Sequence, residues 1–553
     1  MSDEPRIGVL LCSCTPQMRE RLDFDEITGF TSSIESVVHV EKHPVWCLAP
    51  GLARLKEIIQ EQEIDRIVVA GCSYRTHKQI FAKALEESDI NPYLLEIVNL
   101  RDQCAAVHPE GATTRAKDQI GMAVARTAVL EPLEEITVPA EQKALVIGGG
   151  LSGLIAAGTL AEADCEVIVV EREGALGGYF SRNRPWRLRK NGQEALPEII
   201  AGVESNPSIE KLVSSRVTRV DGRPGEFDIT IQSPQGEMHA RVGVILVATG
   251  SATAPAEGAY NHDGKAVKTQ EEFERILYSD ESTEKPLSIV MIQCVGSRND
   301  ERPYCSRVCC LDAFRNATSA KQKWPESEVA ILFRDLEMGC LTERDVKHAR
   351  EAGVAFHRFD PATPPLVEDG KVKLVDTMTG KEVSIPYDLI VLSLGEISHE
   401  GTRETAEILK ISTDVFGFVP EPTIRLRPQE SAGRGIYVTG AAHWPITPEE
   451  SMYQAFEMAS RAATDLKKGG FSTRPIVAFV DESKCIGCRL CESMCAWGAI
   501  RVSEPEEGNK AHVQEILCKG CGTCVAACPA LAIRAAHYSD EQILPSIKAA
   551  VTS

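Results

Sequence analysis

Two identically spaced cysteine runs near the C-terminus leave little choice about the fold there. Cys485, Cys488, Cys491 and Cys495 follow C-x2-C-x2-C-x3-C, and Cys518, Cys521, Cys524 and Cys528 repeat that spacing, with Pro529 next. In two-cluster ferredoxins three closely spaced thiolates hold one [4Fe–4S] cluster, and the fourth cysteine of each run ligates the other. The spacing therefore assigns Cys485, Cys488, Cys491 and Cys528 to one cluster. Cys518, Cys521, Cys524 and Cys495 take the other. Ala496 replaces the usual proline of the first run. Paired zinc sites are the alternative. Zinc takes four ligands, commonly as two separated pairs, and the third cysteine of each run fits that poorly.

The rest of the chain also concentrates its thiols. Of 19 cysteines in 553 residues, eight fall within 485–528 and four within 294–310. Clustering of this kind is not core packing. The acidic N-terminus lacks the basic start of a signal peptide, so the expected compartment is the cytoplasm. Thiols stay reduced there, and a high count points to metal or redox chemistry. With 60 basic and 80 acidic residues the net charge is −20, which argues against nucleic acid and anionic membranes as partners. No run of 18 apolar residues occurs, so no direct membrane insertion is expected.

Length allows three or four domains. The expected fold class is α/β throughout. Residues 1–135 read as a small α/β domain, with Glu131–Gln142 as a linker. A dinucleotide-binding domain is expected over 143–284 and 401–466, interrupted by a second α/β unit at 285–400. The ferredoxin module spans 474–540, after a linker at 467–473. In Lys143–Gly153, KALVIGGGLSG, the residues Gly148, Gly150 and Gly153 form G-x-G-x-x-G between a strand and a helix. Such glycines let the backbone approach a pyrophosphate at the helix N-terminus. The next strand ends at Glu171, placed to accept from ribose hydroxyls. Gly177 and Gly178 follow, then Thr249 and Gly250 in VATG, then Gly440 in IYVTG. This order resembles the thioredoxin-reductase-like flavoproteins and implies FAD. Ala441 stands where those proteins carry an aspartate.

In such flavoproteins the inserted unit binds NAD(P)H through its own glycine loop. Here IQCVGS at 292–297 keeps only Gly296. A cysteine stands where the loop would begin. Cys294, Cys305, Cys309 and Cys310 form C-x10-C-x3-C-C, a set that suits a cluster, with zinc or a thiol–disulfide pair as alternatives.

The segment IQCVGSRNDERPYCSRVCC, between the glycine motif and the ferredoxin runs, resembles the A subunits of heterodisulfide reductases. CSC at 12–14, GCSYRTH at 71–77, NPYLLEIVNLRDQC at 91–104 and AVARTAVLEPL at 123–133 extend the resemblance over nearly the whole chain. It implies an FAD and iron–sulfur component of a cytoplasmic complex. The implied partners are the other subunits and a hydrogenase-, dehydrogenase- or ferredoxin-type electron donor or acceptor. A homodimer within the complex is among the arrangements it allows. The family is associated with flavin-based electron bifurcation.

The N-terminal thiols fit that picture. Cys12, Cys72 and Cys104 follow apolar runs, and Cys47 lies in a loop. Strand C-termini of α/β units converge on one crevice, so these thiols are expected to share a [4Fe–4S] site, with Cys14 competing with Cys12. A buried, inert Cys12 is the alternative. Cys165 and Cys340 fall in no motif and read as structural.

Two departures stand out. Long family members carry a second ferredoxin inside the FAD domain, whereas the roughly 60 residues after Gly178 here contain no cysteine. They also place a lysine near the flavin five residues after the adjacent cysteines, where this chain has Arg315. A permanent cation there would tune the flavin. The leading functional expectation is an oxidoreductase subunit that passes electrons between a partner, its FAD and its clusters. The alternatives are a self-contained flavin oxidoreductase using NAD(P)H or a small molecule, and a scaffold whose clusters only stabilise the fold.

Overall fold

A computed structural model describes residues 4–183, 189–190, 193–279, 285–423, 428–504, 506 and 508–552. The chain divides into two compact units, one joining 1–137 with 472–553 and the other spanning 138–471. Among the described residues no helix is long and apolar enough to cross a membrane.

The first unit begins with a parallel sheet in the order Val37–His43, Ile7–Cys12, Arg66–Ala70, Leu95–Val98. Ile7–Cys12 is buried on both faces, as its unbroken apolar run requires. Ile7, Val9 and Leu11 face helices Phe24–Ser32 and Ala112–Thr127, while Leu10 and Cys12 face helices Ala49–Glu61 and Tyr74–Glu86. That period-two alternation decides which cysteines meet.

The C-terminal module pairs Ala478–Val480 with Ile533–Ala535 and Ile500–Val502 with Ala511–Val513, both antiparallel. Each cysteine run ends on a one-turn helix, Leu490–Met494 or Thr523–Ala527. The chain then forms helix Asp540–Thr552, which lies along Ala112–Thr127. The N-terminal domain and the ferredoxin module are thus one compact unit. Arg126 fastens them: it donates to both oxygens of Glu96 at 3.1 Å and to the His537 carbonyl at 3.1 Å. Its guanidinium also lies 5.0 Å from the centre of the Tyr538 ring.

The second unit holds two parallel sheets. The first runs Ile209–Leu212, Glu166–Val170, Lys143–Ile147, Val244–Val247, Ile436–Val438. The second runs Val267–Thr269, Leu389–Leu394, Ser288–Val295, Glu328–Phe333, Ala355–Arg358. The inserted unit therefore starts before residue 285. Val267–Thr269 and helix Gln270–Tyr278 belong to it, a three-residue strand being too short to show in the apolar pattern. The two chain crossings between the sheets, Ser251–Thr253 and Glu396–Ser398, pair antiparallel.

Arg126→Met should destabilise the first unit by about 2 kcal/mol, because Glu96 loses a charged partner at a half-buried site. Thermal unfolding of the chain, followed by release of the ferredoxin module on limited proteolysis, measures it.

Candidate functional site

The turn after Lys143–Ile147 shapes one end of a large cavity. Gly148 has φ +111°, and a Cβ there would stand 2.3 Å from the Ala248 carbonyl oxygen. A Cβ at Gly153 would stand 1.9 Å from the Gly148 oxygen. Helix Leu151–Glu162 starts at Gly150 without a side-chain cap, so its first N–H groups are left for an anion. Glu171 is buried beside this turn. Its Oε2 accepts from the Gly149 N–H at 2.7 Å and its Oε1 from the Glu173 N–H at 2.8 Å, and each oxygen keeps a second lone pair. Gly148, Gly150, Glu171, Gly178, Thr249 and Gly250 line a cavity of about 770 Å³. Gly153, Gly177 and Gly440 stand behind its wall. The Gly177 N–H donates to the Gly149 carbonyl at 2.8 Å. Glycine cradle, uncapped helix and acid together fit a dinucleotide such as FAD.

At its other end the cavity is lined by Ala441, Ile446, Pro448 and Ser451, and by Val308 and Asp312. Thr447 caps helix Pro448–Lys467 by accepting from the Glu450 N–H at 3.2 Å, and Pro448 and Ser451 bring the first turn of that helix to the cavity. Asp312, a buried carboxylate one turn after Val308, belongs to no sequence motif. Arg315 does not take the place expected of it. It is absent from the cavity lining and 40 % exposed at its side chain, 3.9 Å from Glu449. It lies on the same side of the helix as Val308 but seven residues, about 10 Å, further along the axis, beyond the turn that borders the cavity.

The ferredoxin cysteines gather in two groups. One small pocket is lined by Cys485, Cys488, Cys491 and Cys528, the other by Cys495, Cys518, Cys521 and Cys524. These are the two sets the spacing predicts. Backbone N–H groups already aim at four of the sulfurs. Ala511 donates to Cys485 at 3.4 Å, Ala532 to Cys528 at 3.3 Å, Ala499 to Cys495 at 3.3 Å and Ala478 to Cys518 at 3.4 Å. Such bonds favour thiolate ligands and raise cluster potentials.

In the inserted unit, strand Ser288–Val295 and helix Val308–Lys323 are joined by a long loop instead of a tight glycine turn. The helix again lacks a side-chain cap. Cys294 takes φ +61° and Arg307 φ +62°, bends that fold the loop over the helix start. Cys294, Cys305, Cys309 and Cys310 come together there. Cys309 is pushed well up by its hydrogen bond to Cys310 and by burial, and the same bond draws Cys310 down. Burial pushes Cys294 and Cys305 up, with Cys310 adding to both. Four convergent thiols suit a cluster. Val308, adjacent in sequence to Cys309, lines the dinucleotide cavity.

In the first unit, Cys14 and Cys72 stand with sulfurs 4.0 Å apart. Burial pushes Cys72 up to about 12 and Cys12 to about 11, with Cys14 adding to each. Cys47 packs into the same apolar group. Arg101, which lies in the 91–104 segment but is not singled out there, lends a positive charge to Cys72 and Cys14. Cys104 is not brought to them. It is fully buried on the opposite face of the sheet, among Ile7, Val9 and Leu11, and donates to the Ala112 carbonyl at 3.0 Å.

Fold and site define an oxidoreductase subunit with an FAD-binding domain and a ferredoxin-type module. Residues 142–292 match the pyridine nucleotide-disulphide oxidoreductase family model, and residues 484–532 match the 4Fe-4S dicluster domain. An iron–sulfur A subunit of the CoB–CoM heterodisulfide reductase of Methanopyrus kandleri is 32 % identical, over 91 % of this chain and 92 % of its own length. The A subunit of the H2:CoB–CoM heterodisulfide,ferredoxin reductase of Methanothermobacter thermautotrophicus is 31 % identical over 99 % and 98 %. The A subunit of the H2/formate:CoB–CoM heterodisulfide,ferredoxin reductase of Methanococcus maripaludis is 30 % identical over the same shares. The chain belongs to the family of heterodisulfide reductase A subunits.

Gly153→Ala should abolish FAD retention, since its methyl group meets backbone rather than a movable side chain. The absorbance spectrum of the purified variant reads the loss directly. In the first unit, Cys14→Ser or Cys72→Ser should each remove about four iron atoms, one cluster's worth. Cys104→Ala should remove none; equal losses from all three would return Cys104 to the set.

Proposed function

We propose that this chain distributes electrons within a heterodisulfide-reductase-like complex, between a partner donor, its FAD and four [4Fe–4S] clusters. The carrying observation is the first turn of helix Val308–Lys323. Val308 and Asp312 line the FAD cavity, and the adjacent Cys309 and Cys310 belong to the middle thiol set. One helical turn spans about 5 Å, so a flavin and a cluster held there are neighbours. FAD exchanges one or two electrons and clusters exchange one at a time, which makes this turn a point where pairs become single electrons.

The chain's own residues supply the rest. Gly148 to Gly153 and the free N–H groups after Gly150 hold the pyrophosphate, and Glu171 orients the ribose. Cys294, Cys305, Cys309 and Cys310 hold the middle cluster, and Cys12, Cys14, Cys47 and Cys72 the N-terminal one. The two ferredoxin sets carry electrons onward. Cys488 and Cys521 are exposed, which suits exchange with a partner protein. Reduction of a disulfide or similar substrate belongs to a partner subunit. Two of the named relatives are A subunits of reductases named for H2 or for H2 and formate, and a donor of hydrogenase or formate dehydrogenase type fits the same role here.

Purified without oxygen, the chain should carry one FAD and about sixteen iron atoms, four per cluster. About eight would leave only the ferredoxin module. NADH and NADPH should not bleach the flavin without partner subunits, because the inserted unit has thiols where a phosphate loop would be. Rapid bleaching by either nucleotide would instead favour a self-contained flavin oxidoreductase.

A further inference from the structure

Two hydrogen bonds flank Cys305 and end on the same residue. The Tyr304 hydroxyl donates to the Glu396 carbonyl at 3.0 Å, and the Glu396 N–H donates to the Ser306 hydroxyl at 2.7 Å. Ser306 is fully buried. Gly395, just before Glu396, makes a similar bond beside Cys294: its N–H donates to the Val295 carbonyl at 3.0 Å. The Gly395 carbonyl accepts from the Ala254 N–H at 2.7 Å. A dipeptide offers two N–H groups and two carbonyls. Here three of them go to neighbours of Cys294 and Cys305, and the fourth goes to the residue after crossing strand Ser251–Thr253. Glycine at 395 permits the approach. A Cβ there would stand 2.8 Å from the Ser297 Cβ and 3.2 Å from the Ser306 Oγ.

The same dipeptide reaches the flavin cavity. Glu396 lines that cavity, and its Oε2 accepts from the hydroxyl of Ser251, another lining residue, at 3.1 Å. Cys305 thus stands between two residues that are both fastened to one wall residue. The Tyr304 ring is seated independently, with the centres of the Phe416 and Phe418 rings 4.8 and 5.9 Å from its own. Removing the hydroxyl alone leaves that packing in place. Hydrogen-bonded groups behind metal ligands orient the ligands and tune the centre they hold. We propose that Tyr304 and Ser306 are positioning residues that fix Cys305 against Glu396, so that the middle site keeps a set distance from the flavin. This rests on the reading that the middle thiols hold a cluster. The link is separate from the turn carrying Val308 and Asp312, and it runs through hydrogen bonds rather than through a shared helix.

The full chain is purified without oxygen as wild type, Tyr304→Phe, Ser306→Ala, Phe416→Leu and Cys294→Ser, with FAD and iron per chain as checks on loading. A light pulse with a sacrificial amine donor reduces the flavin, and absorbance follows its reoxidation by the clusters. Each electron that leaves the flavin reduces one cluster. The electron paramagnetic resonance spectrum of the reduced protein is the second readout. Cys294→Ser should lose about four iron atoms, one cluster, together with the fastest phase of reoxidation. Tyr304→Phe and Ser306→Ala should keep FAD and iron, slow that phase about tenfold and shift the middle-site signal. Phe416→Leu, which keeps both hydrogen bonds, should match wild type in rate and spectrum. Wild-type rates and spectra in both Tyr304→Phe and Ser306→Ala overturn the positioning role while leaving the cluster standing. So does a slowing in Phe416→Leu as large as in Tyr304→Phe, since packing alone would then account for it. Loss of the four iron atoms from both Tyr304→Phe and Ser306→Ala reduces the bonds to a support for the cluster and overturns the role as well. Full iron in Cys294→Ser overturns the cluster and the positioning role together.

Discussion

The backbone at Gly153 passes so close to the Gly148 carbonyl that a methyl group would stand 1.9 Å from the oxygen. Everything in the second unit depends on that approach. It seats helix Leu151–Glu162 against the strand that feeds it and leaves Gly148 and Gly150 lining the cavity. It also brings the Gly149 N–H onto Glu171 at 2.7 Å. The acid thereby marks the end of the second strand and stiffens the turn between the first strand and its helix. A larger residue at Gly153 would lift the helix, and the pyrophosphate and ribose contacts would fail together.

Parts of this protein were legible in sequence because chemistry fixes their spacing. The ferredoxin runs are the clearest case: two clusters held by crossed sets of thiolates demand one spacing, and the two pockets contain the expected groups. The glycine turn and Glu171 were legible for the same reason. Cys104 was not. It sits on a short π-helical turn, Arg101–Ala105, and the sheet face it joins depends on that turn rather than on any strand alternation. Asp312 and Arg315 lie three residues apart on one side of the same helix, and only where the packed helix starts against the cavity decides which of them lines it. Helix Asp540–Thr552 is hidden in the sequence because Pro545 interrupts its pattern and because its cover, Ala112–Thr127, is more than 400 residues earlier. The inserted unit's edge strand was too short to announce itself.

Two uncapped helices of the second unit make a physical pair. Helix Leu151–Glu162 and helix Val308–Lys323 each follow the central strand of a five-stranded parallel sheet, and neither start is satisfied by a side chain. A helix start attracts negative charge. At the first, a three-glycine turn leaves room for a phosphate to approach the backbone. At the second, the long loop from Gly296 to Arg307 fills that room with its own chain and presents thiols instead. Thiolates are favoured at helix N-termini for the same electrostatic reason as phosphate. The downward shift of Cys310, though its main cause is the bond from Cys309, has the sign such a location favours. One structural element thus serves two anions. If those thiols hold the cluster proposed for them, the inserted unit trades a nucleotide phosphate, and with it hydride chemistry, for single-electron chemistry. Val308 and Asp312 of that same helix border the flavin cavity, which is where single electrons are useful.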